Sequence, residues 1–368
     1  MLRSITKRLL PPFMSSKQKI ASFEFARVIA LIAVIFIHCQ LFMDYGFING
    51  EPWLNYITNQ LARFAVPLFF LIAGYLIYPK LNEKPYQTTK AYTLPLMLIW
   101  VIWSAIYLVL PFNLAVVAEH GYLAERQGYW NYLLQSPLNS LFEGGLVHLW
   151  FIPSLALAVL MIAWFVDNKC RSLLLPFAAI FYVHGLMAGS YLNITEIETP
   201  IFSRNGPFFS FLMVAIGFEV RRREWSITST QAVVLALFGM LLHFFEAFYL
   251  NSLGQVFNMN DFLLGTVFWS AGIFFWLLNH PNLGNHKVWH DLAKWVLPIY
   301  VVHLLVTIYM NNIAGMLGAT QWTRDLIVFF GTLFGSYLLV ILLEKTPLAF
   351  KKLRGLPKPI TPSSCEPR

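Results

Sequence analysis

Charge is what this sequence has least of. Of its 368 residues only 12% are Asp, Glu, Lys or Arg, while 58% are hydrophobic. That scarcity excludes the solvated surface of an ordinary soluble domain, which carries about a quarter charged residues. Cysteine is almost missing too. The three present, Cys39, Cys170 and Cys365, are scattered, so neither a disulfide framework nor a zinc site is implied. No His-Glu-x-x-His or His-x-x-Glu-His spacing occurs, no Gly-rich phosphate loop and no Gly-x-Ser-x-Gly elbow. No metal site is therefore expected, and neither P-loop nor α/β-hydrolase chemistry is indicated. No internal repeat and no separate soluble domain is visible.

What is there in abundance is hydrocarbon, in runs of roughly 20 residues, the length that crosses a bilayer. Ten such runs lie near 25–43, 57–78, 91–111, 148–166, 172–190, 207–220, 228–250, 261–279, 294–312 and 325–343. The first is not read as a signal peptide, since no small-residue cleavage site follows it and further spans do. The expected fold is an all-α polytopic bundle of about ten transmembrane helices. It divides into a basic N-terminal segment 1–24, a membrane domain 25–343 and a tail 344–368. The net charge of +8 would suggest nucleic acid in a soluble protein; here its distribution explains it. Alternate loops carry Lys80, Lys84 and Lys90, then Lys169 and Arg171, then Arg221, Arg222 and Arg223, then Lys287. Both terminal segments are basic as well. The opposite loops hold Arg126, Arg204 and Arg324 among seven acids, including Glu125 and Glu143. By the positive-inside rule both termini are cytoplasmic. The loop 112–147 is the expected place for a small extramembrane element.

Ionisable groups at membrane depth cost about 2.5–3.5 kcal/mol on insertion scales, so each is a candidate for function. In the first span, FEFARVIALIAVIFIHCQLF, Arg27 and His38 are eleven residues apart and share a helix face, separated by roughly 16 Å along the axis. Glu24, three residues before Arg27, is placed to pair with it. Arg27 also fits a snorkelling topology residue, and His38 a hydrogen-bonded packing residue. Arg63 opens RFAVPLFFLIAGY, with a kink expected at Pro67; an outer-interface anchor is its plainer role. His148 and Trp150 stand in GGLVHLWF, and Tyr300 and His303 in LPIYVVHLL. A belt element and an internal His–Tyr bond are the plainer readings there. Glu246 is expected to pair with His243, and His184 and Glu219 to be structural. Cys39 points about 100° away from His38 on the helix.

Arg27-x10-His38, RFAVPLFFLIAGY, HLWF at 148–151 and IYVVH at 299–303 occur in this order. Together they resemble the acyltransferase-3 family of integral-membrane acyltransferases over residues 20–343. The likeness is nearest to the branch that O-acetylates surface polysaccharides such as the enterobacterial common antigen. The resemblance implies that His38 is the essential first-helix histidine and Arg27 its paired basic residue, with Glu24 where the family usually has aspartate. Arg63, Tyr75, His148, Trp150, Tyr300 and His303 fall on other recurrent positions, read as substrate-binding. Two departures are Ala73 for the serine of Ser-Gly-Tyr and Val28 for the glycine after the arginine.

The implied reaction moves an acyl group, most simply acetyl, from cytoplasmic acyl-CoA to a hydroxyl of a surface or periplasmic polysaccharide or its lipid-linked precursor. Arg27 would hold the anionic head of CoA. His38 would act as general base or carry a transient acyl group. Arg63 or His148 would bind the acceptor or the oxyanion. No tightly bound cofactor is expected, and no nucleic-acid partner. Two rivals stand beside this: an O-succinyltransferase of the same family, and a transporter or flippase whose polar residues line a path.

Overall fold

Apolar runs become helices where caps and prolines allow. The computed structural model describes residues 20–353. Helix α1 (Ala21–Cys39) is followed by a hairpin pairing Phe47–Ile48 antiparallel with Glu51–Pro52. Then come α2 (Trp53–Leu61), α3 (Ala65–Glu83) and α4 (Pro85–Val109). Three short helices, α5 (Leu114–His120), α6 (Tyr122–Gln135) and α7 (Pro137–Glu143), lead through a 3-10 turn (Val147–Trp150) into α8 (Phe151–Asp167). The chain continues with α9 (Leu174–Met187), the single turn α10 (Leu192–Thr195), α11 (Pro207–Arg223) and α12 (Ser229–Ser252). It ends with α13 (Leu264–Asn279), α14 (Lys287–Ala293), α15 (Val296–Met316), α16 (Gln321–Leu343) and α17 (Phe350–Leu353).

Among the described residues, seven helical segments are long and apolar enough to cross a membrane, and Arg171–Met187 and Leu264–Asn279 are shorter apolar ones. Together with α11, these account for the ten runs. Leu94, Leu98 and Val101 on α4, Leu237, Leu241 and Phe245 on α12, and Phe334 and Leu338 on α16 all point outward. An apolar exterior on long helices with a packed interior is what a bilayer solvent selects. The chain is an all-α polytopic membrane protein.

Helix contacts follow small residues. A Cβ on Gly74 of α3 would collide with the Val214 carbonyl of α11, and one on Gly217 of α11 with the Leu71 carbonyl of α3. The reciprocal pair lets the two backbones touch, as small residues do between membrane helices. Helix α12 starts on a capping box, with the Thr228 hydroxyl accepting from the Gln231 amide and Gln231 accepting from the Thr228 amide.

Several expectations change. The second span is not one helix kinked at Pro67. It breaks into α2 and α3 at residues 62–64, and Pro67 lies in the first turn of α3, where a missing N–H costs nothing. The loop 112–147 folds into α5, α6 and α7. Arg126 there is fully buried against Glu125 and lies over the rings of Phe112 at 4.6 Å and Tyr129 at 5.0 Å. The start of the expected tail turns back into the bundle: Phe350 is 2% exposed and stacks on Trp103 at 5.8 Å. Most of the basic N-terminal segment, residues 1–19, and the tail from 354 lie outside the described residues.

Candidate active site

Three histidines from separate parts of the chain converge. The rings of His38 (last turn of α1) and His303 (α15) are 5.2 Å apart between centroids, His303 and His148 (3-10 turn) 5.0 Å, and His38 and His148 6.4 Å. Backbone carbonyls assign two tautomers. His148 Nε2–H donates to the Val301 carbonyl at 2.8 Å, and His303 Nδ1–H donates to the Tyr300 carbonyl at 2.6 Å. A carbonyl only accepts, so each neutral ring keeps a lone pair on its other nitrogen. Those atoms, His148 Nδ1 and His303 Nε2, are buried without a partner. A buried acceptor left so costs about 1–3 kcal/mol. Tyrosines lock the frame around them: Tyr107 of α4 donates to the Val301 carbonyl, and Tyr300 of α15 to the His148 carbonyl. Helices α4 and α15 and the 3-10 turn are thus tied at one point.

His38 differs from the other two. His148 and His303 are 1% and 0% exposed, whereas His38 is only half-buried. Its neighbours His148 and His303 are buried, so the accessible face of His38 is the open side of this cluster, a crevice beside the end of α1. Among the described residues, His38 makes no hydrogen bond.

A clamp from α16 holds the turn after His38. Gln40 and Phe42 adopt φ of 45° and 66°, a left-handed conformation that non-glycine residues rarely take. Asp325 Oδ2 accepts from the Phe42 amide at 2.8 Å and the Tyr45 hydroxyl at 2.7 Å. Arg324 donates to the Gln40 carbonyl at 2.9 Å and to Asp325 Oδ1 at 2.8 Å. Cys39 is fully buried, with its sulfur toward the Val328 carbonyl of α16 rather than the histidines.

A charged network lies where α2 gives way to α3. Arg63 donates to Asp261 Oδ1 at 2.7 Å, to the Asn258 carbonyl at 2.8 Å and to Asn59 at 3.2 Å. Arg204 bridges Asp261 Oδ2 and Glu143, each at 2.8 Å. The Asp261 side chain keeps 30% of its surface accessible. Burial pushes the Asp261 carboxyl up, but Arg204 and Arg63 outweigh it and hold the group below the ordinary carboxylate range.

The structure therefore brings together His38, His148, Tyr300 and His303, with Arg63 nearby. Trp150 packs one step away among Phe70, Phe151 and Phe209. Tyr75 sits apart, midway along α3, where Arg221 donates to its hydroxyl at 2.7 Å and lies over its ring. Arg27 stands on α1 roughly 16 Å from His38 by helical rise. Glu24 meets His290 of α14. The oxyanion role expected of His148 does not fit, because its one N–H is committed to Val301 and its free nitrogen only accepts. The expected His243–Glu246 pair does not form. His243 bonds Gln60 at 2.7 Å and Thr266 at 2.9 Å, while Glu246 takes the Tyr191 hydroxyl and the Leu264 and Gly265 amides. Arg204, Glu143, Asp261, Arg324 and Asp325 were not singled out by sequence. Among the described residues, no group of three His, Cys, Asp or Glu is placed to hold a metal ion.

A membrane bundle with a histidine-lined internal crevice, open to acidic and basic side chains, defines an integral-membrane protein with groups fit for proton transfer. The chain belongs to the acyltransferase-3 family: the model of that family, described as an acyltransferase domain, matches residues 20–341. Among curated proteins it is similar to an amino-acid racemase of Enterococcus faecalis, 25% identical over 81% of this chain and 42% of that protein. It is also similar to a serine/alanine racemase of Enterococcus gallinarum, 26% identical over 75% of this chain and 39% of that protein. The chain thus spans about two-fifths of the length of these relatives. No solved structure matches it.

Proposed function

We propose that this protein transfers an acyl group, most simply acetyl, from cytoplasmic acyl-CoA to a hydroxyl of a surface or periplasmic glycan or its lipid-linked precursor. The membrane is a bacterial inner membrane, with both termini in the cytoplasm. The observation that carries the reading is His38: an accessible imidazole in an internal crevice of a family member, backed by two further buried imidazoles. The basic loops, including Arg221, would face the cytoplasm under the positive-inside rule and suit the phosphates of CoA. Arg27 sits on the same helix as His38, and roughly 16 Å between them suits an extended pantetheine arm.

His38 removes the proton from the acceptor hydroxyl as its oxygen attacks the thioester carbon. The tetrahedral intermediate collapses, the carbon–sulfur bond breaks, and the departing CoA sulfur takes the proton from the His38 imidazolium. Arg63 has five N–H donors, of which Asn59, Asp261 and the Asn258 carbonyl engage three. The remaining two can meet the acceptor or the oxyanion.

The test is purified protein in proteoliposomes with radiolabelled acetyl-CoA and glycan acceptors, wild type against His38→Ala. Transfer should be lost in the variant. A His38→Ala protein that inserts normally and keeps full transfer would remove the assignment. Mass spectrometry of surface glycans from wild-type and deletion strains would give the sugar and the added mass together, separating acetyl from succinyl. The second reading is a transporter or flippase, in which the polar side chains inside the bundle line a path. Deletion would then abolish transport of the substrate itself rather than its acylation.

A further inference from the structure

Two buried nitrogens beside the site have lone pairs and no partner, and one of them has a single candidate donor. His303 Nε2 is closed to solvent as well as unpartnered. In this structure it is therefore closed to a substrate as it is to water. Its neighbouring rings are His38, His148 and Tyr300. His148 has its one N–H on the Val301 carbonyl, and Tyr300 has its hydroxyl on the His148 carbonyl. His38 alone keeps an uncommitted N–H. The His38 and His303 centroids are 5.2 Å apart. Two imidazoles joined nitrogen to nitrogen by one hydrogen bond of about 2.9 Å have centroids about 5 Å apart. His148 is farther off, at 6.4 Å.

The two rings are not hydrogen-bonded in this structure, and a turn of the His38 ring in place would join them. Resting on the acyl-transfer reading above, we propose that His303 is a positioning residue for His38: with that ring turned, its Nε2 lone pair accepts the N–H of His38 and directs the opposite nitrogen of His38 toward the crevice as the base. A neutral imidazole thereby takes the part that a carboxylate plays behind the histidine of a Ser-His-Asp triad. His303 gains no proton at any step. The acceptor proton goes to the crevice-facing nitrogen of His38 and from there to the leaving sulfur, while the His38–His303 bond persists and supports the imidazolium. The frame is suited to this. Nδ1–H on the Tyr300 carbonyl excludes the other tautomer of His303, and Thr307 donates to the His303 carbonyl at 2.9 Å, pinning that turn of α15.

The experiment compares His303→Met, which fills the space without an acceptor there, with His303→Gln, which restores an acceptor oxygen, in full-length protein reconstituted in lipid with acetyl-CoA. The expected result is a fall in kcat of about 100-fold or more for His303→Met, with KM for acetyl-CoA and for the acceptor within about twofold of wild type, and substantial recovery in His303→Gln. Equal loss in both variants, or a loss carried by the acceptor KM, would overturn it. A second measurement needs no variant. Solid-state nitrogen NMR of histidine-labelled wild type in lipid should show His303 protonated at Nδ1 and its Nε2 accepting a bond from His38; Nε2–H on His303 overturns the assignment. Stoichiometric zinc on the purified protein would overturn it as well, since the same lone pairs would then be ligands. If His38→Ala keeps full transfer, the acyl-transfer reading falls. If His38→Ala abolishes transfer and His303→Met does not, only the present inference falls.

Discussion

Asp325 is the side chain on which the placement of His38 depends most directly. It accepts from the Phe42 amide and the Tyr45 hydroxyl through Oδ2 and pairs with Arg324 through Oδ1, and it is only 7% exposed. Hydrogen bonds to a charged group contribute about 1.5–3 kcal/mol each, though bonds sharing one carboxylate do not simply add. Asp325→Ala should therefore destabilise by about 3–4 kcal/mol, close to the cost of removing one partner of a buried pair. The left-handed residues Gln40 and Phe42 each store about 1–3 kcal/mol that this clamp offsets. Without it the turn relaxes and carries the last turn of α1, and His38, with it. A shift of about 1 Å at a catalytic group costs on the order of 100-fold in rate. The assay is acyl transfer per folded molecule in lipid, with thermal unfolding followed by tryptophan fluorescence. Asp325→Asn keeps an acceptor for the Phe42 amide and should lose markedly less on both measures. A wild-type rate in Asp325→Ala, or equal damage in the two variants, would refute the clamp.

The Asp261 carboxyl lies below its ordinary range in the folded protein, so the stability it contributes is present above the unfolded pKa of about 3.9 and is lost as pH falls through the folded value. Thermal unfolding from pH 7 downward should show wild type losing its advantage over Asp261→Asn below about pH 4; a constant difference down to strong acid would contradict this. In the outer segment, burial pushes Glu125 up, but Arg126 and the Phe112 and Asn113 amides bring it below the ordinary value. Arg126→Ala leaves that carboxylate buried without its cation, a loss of about 3–5 kcal/mol. Limited proteolysis should then cut within 112–147 while the bundle stays intact. Gly74→Leu forces a side chain into the Val214 carbonyl, and the expected readout is loss of a monodisperse peak in size-exclusion chromatography, which Gly128→Leu, at a position with open space, should not cause.

The parts of the site legible in sequence are those where polarity sits inside hydrocarbon. His38, His148 and His303 stand out because each interrupts or opens an apolar run, and insertion cost alone makes them conspicuous. Asp261 and Asp325 fall at the ends of runs, where a charge is ordinary, and nothing local distinguishes a clamp from a solvated acid. Arg204 and Glu143 were visible only as loop charges. The pairing of His243 with Glu246 was a fair inference from helical spacing. It fails because the amides at the start of α13 and the side chain of Gln60, 183 residues from His243, compete for the same groups. Break points are not legible for a related reason: Pro67 marks a first turn in one context and a kink in another, and only the packing of α2 and α3 decides.

Tertiary competition also explains why the histidines differ although sequence treats them alike. In a bilayer every polar N–H needs an acceptor, and the carbonyls of Tyr300 and Val301, already within the α15 ladder, each take an imidazole N–H on a second lone pair. That assignment consumes the donors of His148 and His303 and leaves both rings as acceptors only. Neither can protonate a leaving group or hold an oxyanion without first breaking a bond to the backbone. His38, near the end of α1, owes nothing to the backbone and faces the crevice. The division into one base and two acceptors thus follows from helix carbonyls rather than from the histidines themselves. It makes a specific demand on mutagenesis: replacing His148 or His303 with a donor-only side chain should disrupt the site more than replacing it with an acceptor of similar size.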